Sequence, residues 1–318
     1  MSSFNISSID LPTFFLTGFP GLEAAHHWIS IIFCFIYLIA FLGNGIILVV
    51  IKMDPNLQGP MYVLLFMLAT TDLGLSVSTL PTVLCLFWFN IREITFNACL
   101  SQLFFIHTFS FMESSVLLAM ALDRYLAICN PLGYTRVLTN SVIAKLGLAM
   151  LVRSVGVVFP TPLLLRRYRY CRTNVLSHSF CLHQDVLKLA CSDARVNSIY
   201  GLCVVLSTLA IDSVLILLSY IKIIKTILGI ASKHERLKAF NTCASHICVV
   251  LIFFIPVIGV SMIHRFGKQA SPILHILMAN VYLLLPPVLN PLVYSVKTQQ
   301  IRQGILRVFR KKRFNGFQ

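Results

Sequence analysis

Seven apolar stretches, each long enough for a helix to cross the hydrocarbon of a bilayer, constrain this chain more than any other feature of its sequence. A spanning helix needs about 20 mostly apolar residues. The stretches run over Trp28–Ile51, Met61–Phe89, Cys99–Ile128, Val142–Leu165, Ser198–Leu228, Ala239–Ile263 and Pro272–Val296. Together they occupy most of the chain and leave no room for a water-soluble domain. Composition agrees: 57% of the 318 residues are hydrophobic, 12% are charged and the mean hydropathy is +0.83, where a soluble domain carries about 25% charged residues. The expected fold is an all-α membrane protein, a seven-transmembrane helix bundle with a short amphipathic eighth helix. Residues 1–27 form an N-terminal tail, 28–296 the bundle, and 297–318 the amphipathic helix and basic tail.

Orientation follows from the Lys/Arg bias of short loops. Residues 1–27 contain neither Lys nor Arg, so the charged region of a cleavable signal peptide is missing and the first span is expected to insert as a signal anchor. The loop after the fifth span carries Lys222, Lys225, Lys233, Arg236 and Lys238. The tail carries Lys297, Arg302, Arg307, Arg310, Lys311, Lys312 and Arg313 with no acid. These cations place the C-terminus in the cytoplasm and the N-terminus outside a plasma membrane. Arg166, Arg167, Arg169, Arg172, Lys188 and Arg195 in the long loop after the fourth span run against this assignment, but long loops weigh less in the rule. The net charge of +15 does not point to nucleic acid, because the cations lie between apolar blocks and at the C-terminus rather than on one soluble face. Asn5-Ile6-Ser7 is a glycosylation acceptor in the outside tail, so Asn5 is the expected site. Over Thr298–Arg310, Ile301, Ile305, Leu306 and Phe309 share one side and cations the other, which suits a helix lying on an anionic leaflet.

Charged residues inside spans are costly and usually functional. Asp72, Glu113, Asp123, Arg124 and Asp212 are such residues. Asp72 and Glu113, facing each other across the second and third helices, would share a sodium ion or a proton, since two carboxylates in a dry core cannot both ionise cheaply. Asp212 fits equally a structural pairing within the bundle. His107, Ser110, Phe111 and Ser114 recur at three- and four-residue steps on the third helix, as do Ile258, Ser261 and Arg265 on the sixth. Two readings fit these rows. They form a hollow that takes a small molecule with a carboxylate or other acceptor, or Arg265 reaches the headgroups and His107 is a satisfied interhelical histidine. Pro160 with Pro162, Pro256, and Pro286 with Pro287 are expected to interrupt the fourth, sixth and seventh helices.

A transporter would show repeats with helices broken at matching places in two halves, and an odd count of spans without internal repeats disfavours it. A membrane enzyme needs convergent metal ligands or a nucleophile with its base. The 9 histidines are scattered and no His-Glu-x-x-His occurs. No metal centre and no organic cofactor are expected, sodium apart.

Five stretches then narrow the reading: GNGIILVV (43–50), PMYVLLFMLATTD (60–72), MALDRYLAICNPLGY (120–134), KAFNTCASH (238–246) and PPVLNPLVYSVK (286–297). In this order, and in these spans, they resemble the olfactory receptors, a branch of the rhodopsin-like G-protein-coupled receptors. GFPGLEAAHHWISI, FFIHTFSFMESSVLLAMALDRY, LSHSFCLHQDVLKLACSD and IHRFGKQ are similar to the class I, or fish-like, members. The nearer rival is a non-olfactory rhodopsin-like receptor for a small metabolite, which KAFNTCASH and PMYVLLFMLATTD disfavour.

The resemblance implies a receptor for a water-soluble odorant such as a carboxylic acid, acting through a stimulatory heterotrimeric G protein to raise cyclic AMP. It implies a ligand set of Arg265, His107, Ser261, Gln184, Ser114 and Gly201, with Arg265 as the bidentate partner of the acid. It also implies disulfides Cys99–Cys181 and Cys171–Cys191, which an oxidising outer face permits. Asp123, Arg124 and Tyr125 match the family's G-protein switch, with Arg124 held near Asp123 at rest, and Asn290, Pro291 and Tyr294 match its companion on the seventh helix. Two positions depart from the family's pattern: Phe253-Phe254 stand where Phe-Tyr is usual before Pro256, and Gly133 stands where a basic residue is common before Tyr134.

Overall fold

A computed structural model describes residues 13–170, 174–266 and 271–315, with the side chains of all of these except 23, 264–266, 272 and 309–315. In chain order the helices are α1 (His26–Met53), α2 (Pro60–Phe87), α3 (Phe96–Cys129), α4 (Tyr134–Val137), α5 (Asn140–Val158), α6 (Pro160–Leu165), α7 (His183–Lys188), α8 (Arg195–Leu228), α9 (Lys233–Phe266), α10 (Pro272–Lys297) and α11 (Gln299–Asn315). Among the described residues 7 spans are long and apolar enough to cross a membrane: α1, α2, α3, α5 continued by α6, α8, α9 and α10.

Local chemistry sets the helix starts. Pro60, Pro160 and Pro272 stand in the first turn of their helices, where a missing N–H costs nothing. Thr95, Thr139 and Ser271 accept backbone N–H groups of the first turns of α3, α5 and α10. The sixth span starts earlier than hydropathy suggests, at Lys233 rather than Ala239. Lys233, Glu235, Arg236, Leu237 and Lys238 are good helix formers, so the helix runs on past its apolar stretch. Only the fourth span is divided by its prolines: α5 ends at Val158 and α6 restarts at Pro160. Pro256, Pro286 and Pro287 lie inside continuous helices, as does Pro81 in α2.

α3 is the hub of the bundle and packs on α2, α5, α6, α8 and α9. The outward faces are apolar: Ile211, Val214, Leu217 and Leu218 of α8 are all exposed. In water such a surface would aggregate, whereas in hydrocarbon it is the solvated face. Several buried polar groups find partners across the bundle. Asn44 of α1 donates to the Pro287 carbonyl of α10 at 2.8 Å, and beside it a Cβ on Gly43 would lie 2.8 Å from Pro291, so the absence of a side chain lets α1 and α10 touch.

One feature departs from the all-α expectation. β1 (Thr13–Leu16) pairs antiparallel with β2 (Glu93–Thr95) and parallel with β3 (Val175–Leu176), giving a sheet of order β2-β1-β3. Its strands are too short to show a period-two pattern, and their partners are far apart in sequence. The sheet covers one end of the bundle. At the other end α11 docks on α1 and on the turn Pro55–Leu57, with Ile301 buried and Arg307 bonded to Asp54 Oδ2 at 2.9 and 2.7 Å. Of the predicted apolar side, Ile301 and Ile305 pack inward, Leu306 is exposed, and the Phe309 side chain lies outside those described. Gly304 instead completes the docked face.

Candidate functional site

A cavity of about 130 Å³ opens between α3, α5, α6, α8, α9 and α10 near the sheet end. Its wall is mostly aliphatic, with Val157, Val204, Val205, Leu209, Val257 and Val260 among the lining residues. His107, Gln184, Gly201 and Ser261 also line it, each from a different segment of the chain. The structure thus brings these four together. Arg265 stands in the last turn of α9, and its side chain lies outside those described. Ser114 is not in the wall: it is fully buried and donates to Asp212 Oδ2 at 2.7 Å. The helical period that puts Ser114 on the face of His107 and Ser110 also puts it a turn deeper, beyond the cavity.

The long loop is held over the cavity by several ties. Cys99 at the start of α3 is disulfide-bonded to Cys181, and the backbone N–H of Cys181 donates to Gln102 Oε1 at 2.9 Å. Gln102 also donates to the Ser78 carbonyl of α2 at 3.0 Å. The next residues of the loop, Leu182, His183 and Gln184, enter the wall. His183 hydrogen-bonds Asn197 at 3.0 Å and packs against Gly201, where a Cβ would lie 2.8 Å from its ring. Asp185 in the same loop is buried and bonded to His178 and Lys188. Burial alone would raise the pKa of its carboxyl; the His178 hydrogen bond and the electrostatic pull of His178 and Lys188 outweigh it and hold the group at about 2. Cys191 is disulfide-bonded; Cys171 and the acceptor Asn5 lie outside the described residues.

Inside the wall, Tyr282 of α10 donates to Ser110 of α3 at 2.6 Å. His107 Nε2 is buried without a hydrogen-bond partner. An unpaired buried acceptor or donor is costly, so a polar group placed in this cavity gains one.

Deeper in the bundle, Asn290 Nδ2 spans the two acids, donating to Asp72 at 3.2 and 3.1 Å and to Glu113 Oε1 at 3.1 Å. Glu113 Oε2 and Asn290 Oδ1 are buried without partners. These two oxygens are acceptors left open beside the paired acids. No group of three or more His, Cys, Asp or Glu side chains with metal-site geometry occurs among the described residues.

Near the far end the contacts differ from the sequence-based expectation. Asp123 accepts from the Tyr134 hydroxyl at 2.7 Å, and Arg124 meets the Met61 sulfur; no Asp123–Arg124 ion pair occurs among the described residues. Tyr134 lies in the short α4, which has no apolar period of its own, so the sequence offered no sign that it would reach α3. Tyr125 packs against the core, and Tyr294 is buried with its hydroxyl 3.9 Å from Met120 Sδ. The two departures have simple settings. A Cβ on Gly133 would lie 2.6 Å from the Asn130 side chain, and Phe254 is buried edge-on to Phe253, a wall residue of the cavity.

Sequence reasoning missed Arg153. It sits within the fourth span and grips Asp212 through Nη2 at 2.9 Å and Nη1 at 3.1 Å. Arg153 is the one basic residue between Lys145 and Arg166, and that isolation within an apolar stretch was the signal available.

Comparison with known proteins bears on what this arrangement serves. Residues 33–312 match the family described as olfactory receptor. Olfactory receptor 51L1 of Homo sapiens is 65% identical over 309 residues, 97% of this chain and 98% of that protein. Olfactory receptor 51G2 of Homo sapiens is 58% identical over 305 residues, 96% of this chain and 97% of that one. In fold, the chain is similar to the crystal structure of squid rhodopsin, with a TM-score of 0.75 and 18% identity over 92% of this chain and 87% of that one.

Proposed function

The chain belongs to the olfactory receptor family, a family of multi-pass plasma-membrane receptors rather than enzymes, and from that premise we propose that it detects a small carboxylic acid in the cavity beneath the sheet. The observation that carries this reading is the cavity itself, an apolar hollow with His107, Gln184 and Ser261 at its wall. An aliphatic chain fills such a hollow, and the polar side chains orient its acid head. Arg265, one turn beyond Ser261 on α9, supplies the guanidinium that pairs the carboxylate. The sheet end is extracellular, so odorant arrives from outside, Asn5 carries the glycan, and Cys171–Cys191 forms the second loop disulfide.

Binding activates a stimulatory heterotrimeric G protein at the opposite end and raises cyclic AMP. α10 supports this route, because it carries Tyr282 at the cavity, Asn290 at the buried acids and Tyr294 beyond them. Asp123, Arg124 and Tyr125 on α3, with Asn290, Pro291 and Tyr294 on α10, form the switch that the G protein reads. A ligand shifts this equilibrium only as far as it binds the active arrangement more tightly. Asp72 and Glu113 hold a sodium ion or a proton in one arrangement and release it in the other; replacing external sodium by choline then changes the agonist potency of the native receptor but not of Glu113→Gln.

The test of the ligand reading is a cyclic-AMP reporter challenged with straight-chain carboxylic acids of graded length beside the matched alcohols. Acids activate the native chain, and Arg265→Ala loses that response at unchanged surface expression. A variant that responds like the native receptor would place Arg265 at the lipid headgroups and remove the acid from the reading.

A further inference from the structure

Directly under the cavity, three helices are joined by four polar side chains. Asp212 of α8 accepts two hydrogen bonds from Arg153 of α5, at 2.9 and 3.1 Å, and one from Ser114 of α3, at 2.7 Å. Arg153 donates in addition to Ser115 of α3 at 2.9 Å, and Ser115 donates back to the Phe111 carbonyl at 2.9 Å.

Each member lies one helical turn from a wall residue of the cavity. Ser114 and Ser115 follow Ser110 and Phe111, Asp212 follows Leu209, and Arg153 precedes Val157. α3 and α8 run away from the sheet end and α5 runs toward it, so all of these steps lead to the same level. Ser114 is 0% exposed and Asp212 is 1% exposed, so these two are closed in by their neighbours, while the Arg153 side chain is 34% exposed. The Arg–carboxylate fork fixes geometry as well as charge. Breaking it within hydrocarbon leaves a charge unpaired, so this side of the cavity resists deformation.

We infer that the Arg153–Asp212 fork, closed by Ser114 and Ser115, is the rigid floor of the ligand cavity and sets the longest chain that the receptor accepts. The inference rests on the cavity being the ligand site, as proposed above. The head group of a bound acid is held near Ser261, and its alkyl tail points down between Phe111, Val157 and Leu209. The tail ends where these residues rest on the fork. Wall residues there can turn aside, but the hydrogen-bonded fork cannot, so length discrimination belongs to the floor.

The length limit of the acid series measures this. Arg153→Met/Asp212→Ala removes both charges together, keeps α5 filled and opens space beneath Leu209. At equal surface expression it is expected to respond to acids one or more methylenes longer than the native limit, with a gain of roughly tenfold or more for the first, the usual worth of one methylene in an apolar pocket. Ser114→Met leaves the ion pair intact and raises the floor from α3. It is expected to shorten the limit and cost the longest native agonist roughly tenfold or more. An unchanged length limit in either variant at the cell surface overturns the inference, whatever happens to maximal response, since a purely structural network would weaken all lengths alike. Ser261→Ala serves as the control for the cavity: it lowers potency along the whole series if ligand binds there. A Ser261→Ala receptor with native potencies would mean that the cavity reading, rather than the floor, has failed.

Discussion

Asn44 of α1 donates to the backbone carbonyl of Pro287 in α10 at 2.8 Å. In an unbroken helix that carbonyl would accept from the residue four places on. That residue is Pro291, which has no N–H. A neighbouring helix therefore satisfies a group that the sequence of α10 leaves open, at a depth where water cannot. Gly43 and Pro291 make the approach close enough for it.

Asn44→Leu is accordingly expected to destabilise the receptor by about 1–3 kcal/mol, the usual cost of an orphaned buried acceptor. The melting temperature of detergent-purified receptor reads this directly. Equal melting of variant and native protein would mean that the Pro287 carbonyl finds another donor.

Gly201→Ala tests the cavity wall without removing a hydrogen-bonding group. The added methyl would lie 2.8 Å from the His183 ring, so the ring is driven toward the cavity. The expected result is a potency loss of roughly tenfold or more for the best acid, with normal surface expression. A variant of native potency would show that His183 swings the other way and that this wall is soft.

The Asp185 carboxyl makes a prediction about acid. Its pKa is depressed to about 2, below an ordinary value of about 3.9. The stability it contributes is therefore complete above about pH 4 and is lost as pH falls toward 2. Between pH 7.5 and 5 Asp185 stays ionised, so no protonated-carboxyl infrared band that disappears in Asp185→Asn should emerge in that range. Such a band at pH 5 would mean that the loop does not hold His178 and Lys188 against Asp185 in the folded receptor.

At the opposite end, packing should matter more than charge. Arg307 is half exposed where it pairs with Asp54, and a pair so screened is worth within about 1 kcal/mol. Gly304 faces Val50 and Leu57, with 2.9 Å from its would-be Cβ to Val50, and forcing a large side chain into such a contact typically costs 1–3 kcal/mol. Gly304→Leu should thus reduce the thermal stability of purified receptor more than Arg307→Ala does. The reverse order would assign the docking of α11 to the ion pair.

How much was legible in the sequence depended on whether the signal was local. The spans were readable because each must satisfy its own backbone in lipid, so apolar length alone gives them. The motifs around Arg124 and Asn290 and the pairing of Cys99 with Cys181 came from a resemblance carried by contiguous residues, and so did Gln184 and Gly201; His107 and Ser261 stood out by helical spacing, and the resemblance chose the pocket over the alternative reading. The three-stranded sheet was invisible, because strands of 4, 3 and 2 residues carry no period and pair only across long separations. Ser114 misled for a related reason: helical periodicity fixes which way a side chain faces, but not whether the space there is empty or already filled by Asp212.

The sequence by itself determined that this chain lives in a membrane, that it crosses seven times, and to which family it belongs. Those properties are sums over contiguous residues, and the bilayer imposes them one helix at a time. Only the tertiary structure decided which polar groups meet: Asn44 with Pro287, Tyr134 with Asp123, Asn290 between Asp72 and Glu113, and Arg153 under the cavity with Asp212. In hydrocarbon each such group must find a partner on another helix. Which partner it finds depends on depth and rotation around the bundle, and these are fixed only when all seven helices pack.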